Sequence, residues 1–110
     1  MDKPSQNTLD CIEACLRCYG VCLGMATNHC LAVGGKHAEQ DHLRLMLACS
    51  EMCRTHAHFL ILGSVHAKHL APECAELCRL CAESCEKVGD MDDCVAACRA
   101  CAASCAGMAA

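Results

Sequence analysis

Hydrophobic and polar positions alternate along this chain with a helical period, and cysteine holds most of the apolar places. The segment CIEACLRCYGVC sets Cys11, Cys15, Cys18 and Cys22 in steps of four, three and four. The same steps return in CAELCRLCAESC (Cys74, Cys78, Cys81, Cys85) and in CVAACRACAASC (Cys94, Cys98, Cys101, Cys105). At about 100° per residue, each cysteine comes back to within roughly 40° of the first. Each segment is therefore predicted to be a helix with one thiol edge. A fourth segment keeps the steps with other side chains, at His42, Met46, Cys49 and Cys53. The edge extends to His56 and Leu60 there, and in the first segment to Met25 and His29, which lie within about 40° of Cys11 on the same wheel.

The boundaries follow from caps and breakers. Asn7 or Thr8 can cap a first helix, which runs to about Ala32 and stops at Gly34-Gly35. A second helix covers about His37 to Leu62, and Gly63 to Ala71 reads as a connection with a short helical turn. Pro72 suits the first position of a third helix, ending near Gly89. Asp90 can cap a fourth, which ends at Gly107. Short links favour antiparallel neighbours. The expected fold is all-α, an antiparallel up-down four-helix bundle with a cysteine-lined core, one domain over residues 1–110. Leu43, Leu47 and Ile61 fall on the opposite side of the second helix, and such an apolar back points to self-association.

Composition sharpens this picture. Of 110 residues 55% are hydrophobic, yet there is one Phe, one Tyr and no Trp, against 15 Cys. Cysteine, a small hydrophobe, must fill the core. The longest wholly apolar run, Phe59 to Leu62, is far below the roughly 20 residues of a membrane span. The polar start MDKPSQNT is unlike a secretory signal, which points to the cytosol, where thiols stay reduced. Thiols three or four apart on one helix also sit too far apart to bridge, with Cβ separations of about 5–6 Å against the roughly 3.5–4.5 Å of a disulfide. A net charge of −4 without a basic cluster leaves no footprint for nucleic acid.

A buried row of thiols is chemistry more than packing, because Leu, Val and Ala would fill the space without the oxidation risk. Thiolate is a soft ligand that selects Cu(I), Zn(II) or iron–sulfur clusters. One Cu(I) per thiolate is neutral overall, which matters where buried charge is costly. Zinc wants four ligands, harder to supply where the second helix carries only Cys49 and Cys53. Zinc buffering is accordingly the alternative reading. An iron–sulfur electron carrier ranks lower, since the bacterial ferredoxin run C-x-x-C-x-x-C is absent. A redox enzyme ranks lowest, because no nucleophile and resolving pair is singled out. Cys30 lies off the edge and reads equally well as core filler, and Met91 reads as terminal packing. His37, His56, His58, His66 and His69 read as surface or satisfied histidines.

The three full segments together resemble the bacterial copper storage proteins, a cysteine-rich four-helix-bundle family, and its cytosolic branch in particular. The resemblance spans essentially the whole chain. It implies a protein that is not an enzyme but a store taking many Cu(I) ions into its core. The ligands implied are Cys11, Cys15, Cys18, Cys22, Cys49, Cys53, Cys74, Cys78, Cys81, Cys85, Cys94, Cys98, Cys101 and Cys105. It also implies a mouth where copper passes, here Met25, His29, His42 and Met46, a homotetramer, and a copper donor or acceptor as partner.

Overall fold

The computed structural model describes residues 3–108. Helix α1 (Gln6–Gly24) continues through a π-helical turn (Met25–Cys30) into a last α-helical turn (Leu31–Val33). A 3₁₀ turn (Gly35–Ala38) leads to α2 (Gln40–Leu62), followed by α3 (Ala67–Val88) and α4 (Asp92–Met108). Each helix packs against its two neighbours in the cyclic order α1, α2, α3, α4, the up-down bundle anticipated from the short links. There is no strand among the described residues. The molecule is a rod of 49 × 20 × 19 Å.

Local chemistry explains the ends. Ser5, not Asn7 or Thr8, caps α1, its Oγ accepting from the Thr8 backbone N–H at 3.1 Å. Gly34 and Gly35 both have positive φ, 73° and 58°, a conformation that glycine enters freely. They absorb His37 into the 3₁₀ turn, so α2 starts three residues later than the pattern suggested. His37 Nε2 donates to the Gly89 carbonyl at 2.9 Å, tying the α1–α2 and α3–α4 connections together. Helix α3 begins at Ala67, well before Pro72. The proline takes a helical φ readily, and near the N-terminal end only one turn lies before it to absorb the missing N–H bond and the crowding of its ring against the Lys68 carbonyl, so it marks the early helix, not its start. Asp90 does not cap α4: it has a φ of 56°, and the Met91 carbonyl accepts the first helical N–H, from Val95, at 3.0 Å. Asp92 and Asp93 occupy the first turn of α4, where negative charge complements the helix dipole.

The π turn decides which side chains reach the axis beyond Cys22. One widened turn holds an extra residue and so rotates everything after it. Thr27 Oγ1 donates to the Leu23 carbonyl at 2.8 Å and Asn28 Nδ2 to the Gly24 carbonyl at 3.0 Å, so side chains reinforce the widened turn. The result is that Ala26 and Cys30 enter the core, while Met25 and His29 are only half-buried.

Two glycine substitutions probe these helices with opposite signs. Gly63 ends α2 in the left-handed region, at φ 69° and ψ 28°, with open space around it. Gly63→Ala should therefore destabilise by about 1 kcal/mol from backbone strain alone, or roughly 4–8 °C in the thermal midpoint of the reduced, metal-free protein. Gly20, inside α1 and equally unobstructed, should show the reverse: Gly20→Ala raises stability by about 0.5–1 kcal/mol.

Candidate metal centre

All fifteen cysteines are fully buried and none is in a disulfide. Eleven of the sulfurs lie in contact with one another along the axis, one helix facing another. Beginning at the end where α2 meets α3, Cys105 Sγ is 3.8 Å from Cys11, 3.7 Å from Cys15 and 3.4 Å from Cys74. Cys53 lies 3.9 Å from Cys74, 3.5 Å from Cys78 and 3.7 Å from Cys101. Cys49 is 3.7 Å from Cys78 and 4.0 Å from Cys18. Cys98 is 3.7 Å from Cys18 and 3.4 Å from Cys22. These separations exceed the roughly 2.05 Å of a disulfide bond by far, and they suit sulfurs able to close on a shared ion. Beyond them Cys81, Cys85 and Cys94 extend the lining, all without exposure.

Five compact groups have all ligand atoms within 4.8 Å of one another. Four are entirely thiol: Cys15, Cys74, Cys101 and Cys105; Cys53, Cys74, Cys78 and Cys101; Cys18, Cys49, Cys53 and Cys78; Cys18, Cys22, Cys49 and Cys98. The fifth joins Cys11, Cys15 and Cys105 to His56. Neighbouring groups share cysteines, so the core is one continuous donor column.

The far end is built from mixed soft donors. Cys30 Sγ stands 3.8 Å from each of His42 Nε2, Met46 Sδ and Met91 Sδ. His42 Nδ1 is 2.7 Å from Ser84 Oγ, which orients the ring with Nε2 toward the sulfur. A cleft of ≈ 370 Å³ lined by charged side chains, Lys36, Glu39, Asp41, Glu83 and Lys87 among them, reaches His42 from outside. Just beyond lie His29 and His37, edge to face with centroids 5.4 Å apart, and His29 Nε2 is 3.6 Å from Asp90 Oδ2.

Proton affinities follow from this crowding. Hydrogen bonds from Cys105 and Cys15 hold the Cys11 thiol down at about 3, and bonds from Cys81 and Cys94 hold Cys85 at about 4. Burial pushes Cys30 up, with the Cys85 charge adding to it. At His42 burial favours the neutral ring, partly offset by Cys85. Burial acts the same way on His56, but the Cys74 contact and the charges of Cys74, Cys11 and Cys101 together outweigh it and raise its pKa.

The structure thus brings fourteen of the singled-out cysteines, Met46 and His42 to the axis. It takes the register of Met25 and His29 away from the axis and gives their place to Cys30. The straight α-helical wheel put Cys30 at the side, and only the π turn returns it. Met91 is buried against Cys30, not simply packed at a terminus. His56 belongs to the core: fully buried, its Nδ1 is 3.5 Å from Cys15 and 3.4 Å from Cys105 Sγ, and its Nε2 has no partner. A signal for it was present, since His56 follows Cys53 by three residues and continues the α2 edge. His58, His66 and His69 are exposed, as expected of surface histidines, and His37 is satisfied by Gly89.

Known proteins resemble this chain in fold or in sequence. A 51% identical protein of Nitrosospira multiformis, Nmul_A1745, superposes with a TM-score of 0.93 over 94% of this chain and 95% of its own. The Cu(I)-bound copper storage protein BsCsp3 is 31% identical and superposes at 0.86 over 96% of this chain and 100% of its own. The cysteine-rich protein YhjQ of Bacillus subtilis (strain 168) is 35% identical over 81 residues, 70% of each chain. The family model described as copper storage protein matches residues 4–110, nearly the full extent of the thiol-lined bundle, and the chain belongs to that family.

Proposed function

We propose that this bundle stores copper, taking many Cu(I) ions onto the thiols that line its axis. The observation that carries the reading is the column of buried cysteine sulfurs, none in a disulfide, in which Cys11, Cys15, Cys18, Cys22, Cys49, Cys53, Cys74, Cys78, Cys98, Cys101 and Cys105 each lie within 4.0 Å of another. Soft thiolates select Cu(I). Each Cu(I) that replaces one thiol proton leaves the column neutral, so a dry core can fill without accumulating charge. The ligands are Cys11, Cys15, Cys18, Cys22, Cys49, Cys53, Cys74, Cys78, Cys81, Cys85, Cys94, Cys98, Cys101 and Cys105. At the mouth His42 and Met46, with Cys30, form the inner shell, and Met25 and His29 the outer approach. Weaker thioether and imidazole donors there would let copper move to and from a donor or acceptor.

The protein is a binding module, not an enzyme, and works as one domain in the reducing cytoplasm, which its unpaired thiols suit. No helix among the described residues is long and apolar enough to cross a membrane. Association into a homotetramer is supported by the apolar groove of Pro4, Leu9, Ile12, Ile61 and Leu62, where Ile61 and Leu62 are 62% and 65% exposed.

Titration of the reduced protein with Cu(I) under anaerobic conditions, against a chromogenic Cu(I) chelator, should load on the order of one ion per cysteine before the chelator colours. Saturation at one or two ions sinks the storage reading. Because Cys53 touches Cys74, Cys78 and Cys101, Cys53→Ala should lower capacity by about one or two ions without abolishing it, each Cu(I) needing only two or three soft ligands. Light scattering after size exclusion should give a mass near four times 11.7 kDa, and Ile61→Glu should shift it to smaller species; a monomeric wild-type protein would refute the tetramer.

A further inference from the structure

His56 sets one end of the column apart. It is fully buried, it is the one non-sulfur donor in the five compact groups, and Nε2, on the opposite edge of the ring from the thiols, has no hydrogen-bond partner. A cleft of ≈ 340 Å³ lined by Thr8, Leu60, Ser64, Lys68 and Met108 reaches His56 from outside, opposite the Cys30 mouth.

We infer that Cys11, Cys15, Cys105 and His56 Nδ1 form a Cys₃His site whose ion is Zn(II), distinct in chemistry from the all-thiol column it adjoins. This goes beyond the copper reading and does not need it. Zinc takes four ligands in a tetrahedron, and Cys₃His is among its usual structural sets. Bonds of about 2.3 Å to sulfur and about 2.05 Å to nitrogen imply tetrahedral edges of roughly 3.8 Å between sulfurs and roughly 3.6 Å from sulfur to nitrogen. Four of the six edges are already there, 3.8 and 3.7 Å for sulfur pairs and 3.5 and 3.4 Å for sulfur to Nδ1, and the two from Cys11 to Cys15 and to Nδ1 lie within 4.8 Å, so a movement of about 1 Å at most, chiefly of Cys11, closes the site.

The all-thiol groups have similar spacing but a different charge balance. Zn(II) bound there displaces four thiol protons and leaves a buried centre of net charge −2. At the His56 site it displaces three protons to solvent and leaves −1, with a neutral imidazole as the fourth ligand. Less uncompensated charge is less costly in a dry interior, and the Lys68 ammonium lines the adjoining cleft. Coordination through Nδ1 would also fix the hydrogen on Nε2.

X-ray absorption on the full-length, reduced, copper-free protein with one equivalent of Zn(II) tests this without a variant. Three sulfurs and one nitrogen, with the outer-shell scattering of an imidazole, is the expected result; four sulfurs overturns the inference. In competition with a zinc chelator, His56→Ala should weaken the first zinc at least tenfold, and His56→Cys, which makes a four-thiol centre of net charge −2, should show a four-sulfur shell and still bind more weakly than the wild-type site. An unchanged affinity in His56→Ala also overturns it. The Cu(I) titration is read separately, so neither outcome depends on the other.

Discussion

A thiolate left alone in a low-dielectric core is expensive, and this constraint orders the structure. It is why the sulfurs lie against one another, where an S–H contact can offset part of the desolvation, and why they are gathered on one axis. It also sets what the core can accept. An ion that brings one positive charge per displaced proton fits everywhere along the column. A dication fits best where a neutral ligand replaces one of the thiols. The same physics that packs the metal-free bundle therefore grades its sites by charge.

Much of this was legible in the chain. The four, three, four spacing, of cysteines in three segments and of His42, Met46, Cys49 and Cys53 in another, placed four helices and their inward edges, because a buried edge in a small bundle has no other periodicity available to it. The back of α2 was legible for the same reason: Leu47 and Ile61 had nowhere inside to go. What the wheel could not give was the register beyond Cys22. Helical arithmetic assumes a constant turn, and the π turn at Met25–Cys30 changes it, with only Gly24 before it, a residue that weakens a helix without saying how its turn will change. Pro72 misled in the opposite way, marking a helix correctly but not its start. His56 is readable by position on the α2 edge, but histidine in general reads as surface or satisfied, and only the packing shows it among three thiols.

The two ends of the column differ in kind. At one, Cys30 is surrounded by two thioethers and an imidazole anchored on Ser84, donors that hold a soft ion less firmly than paired thiolates. At the other, three thiols surround His56 beneath a separate cleft. Cys15 and Cys105 belong both to that group and to the adjoining all-thiol group. Whatever occupies the histidine end thus alters the donors left for the next position inward.

The thiol spacing has a further consequence for size. Steps of four and three add to seven residues, so the pattern closes on itself after each heptad, about 10.5 Å of helix. A bundle of this design can grow by whole heptads, gaining two thiols per helix each time while its cross-section, of 20 × 19 Å here, stays the same. Holding capacity in such an architecture is then a matter of length, like the charge of a capacitor enlarged in one dimension only.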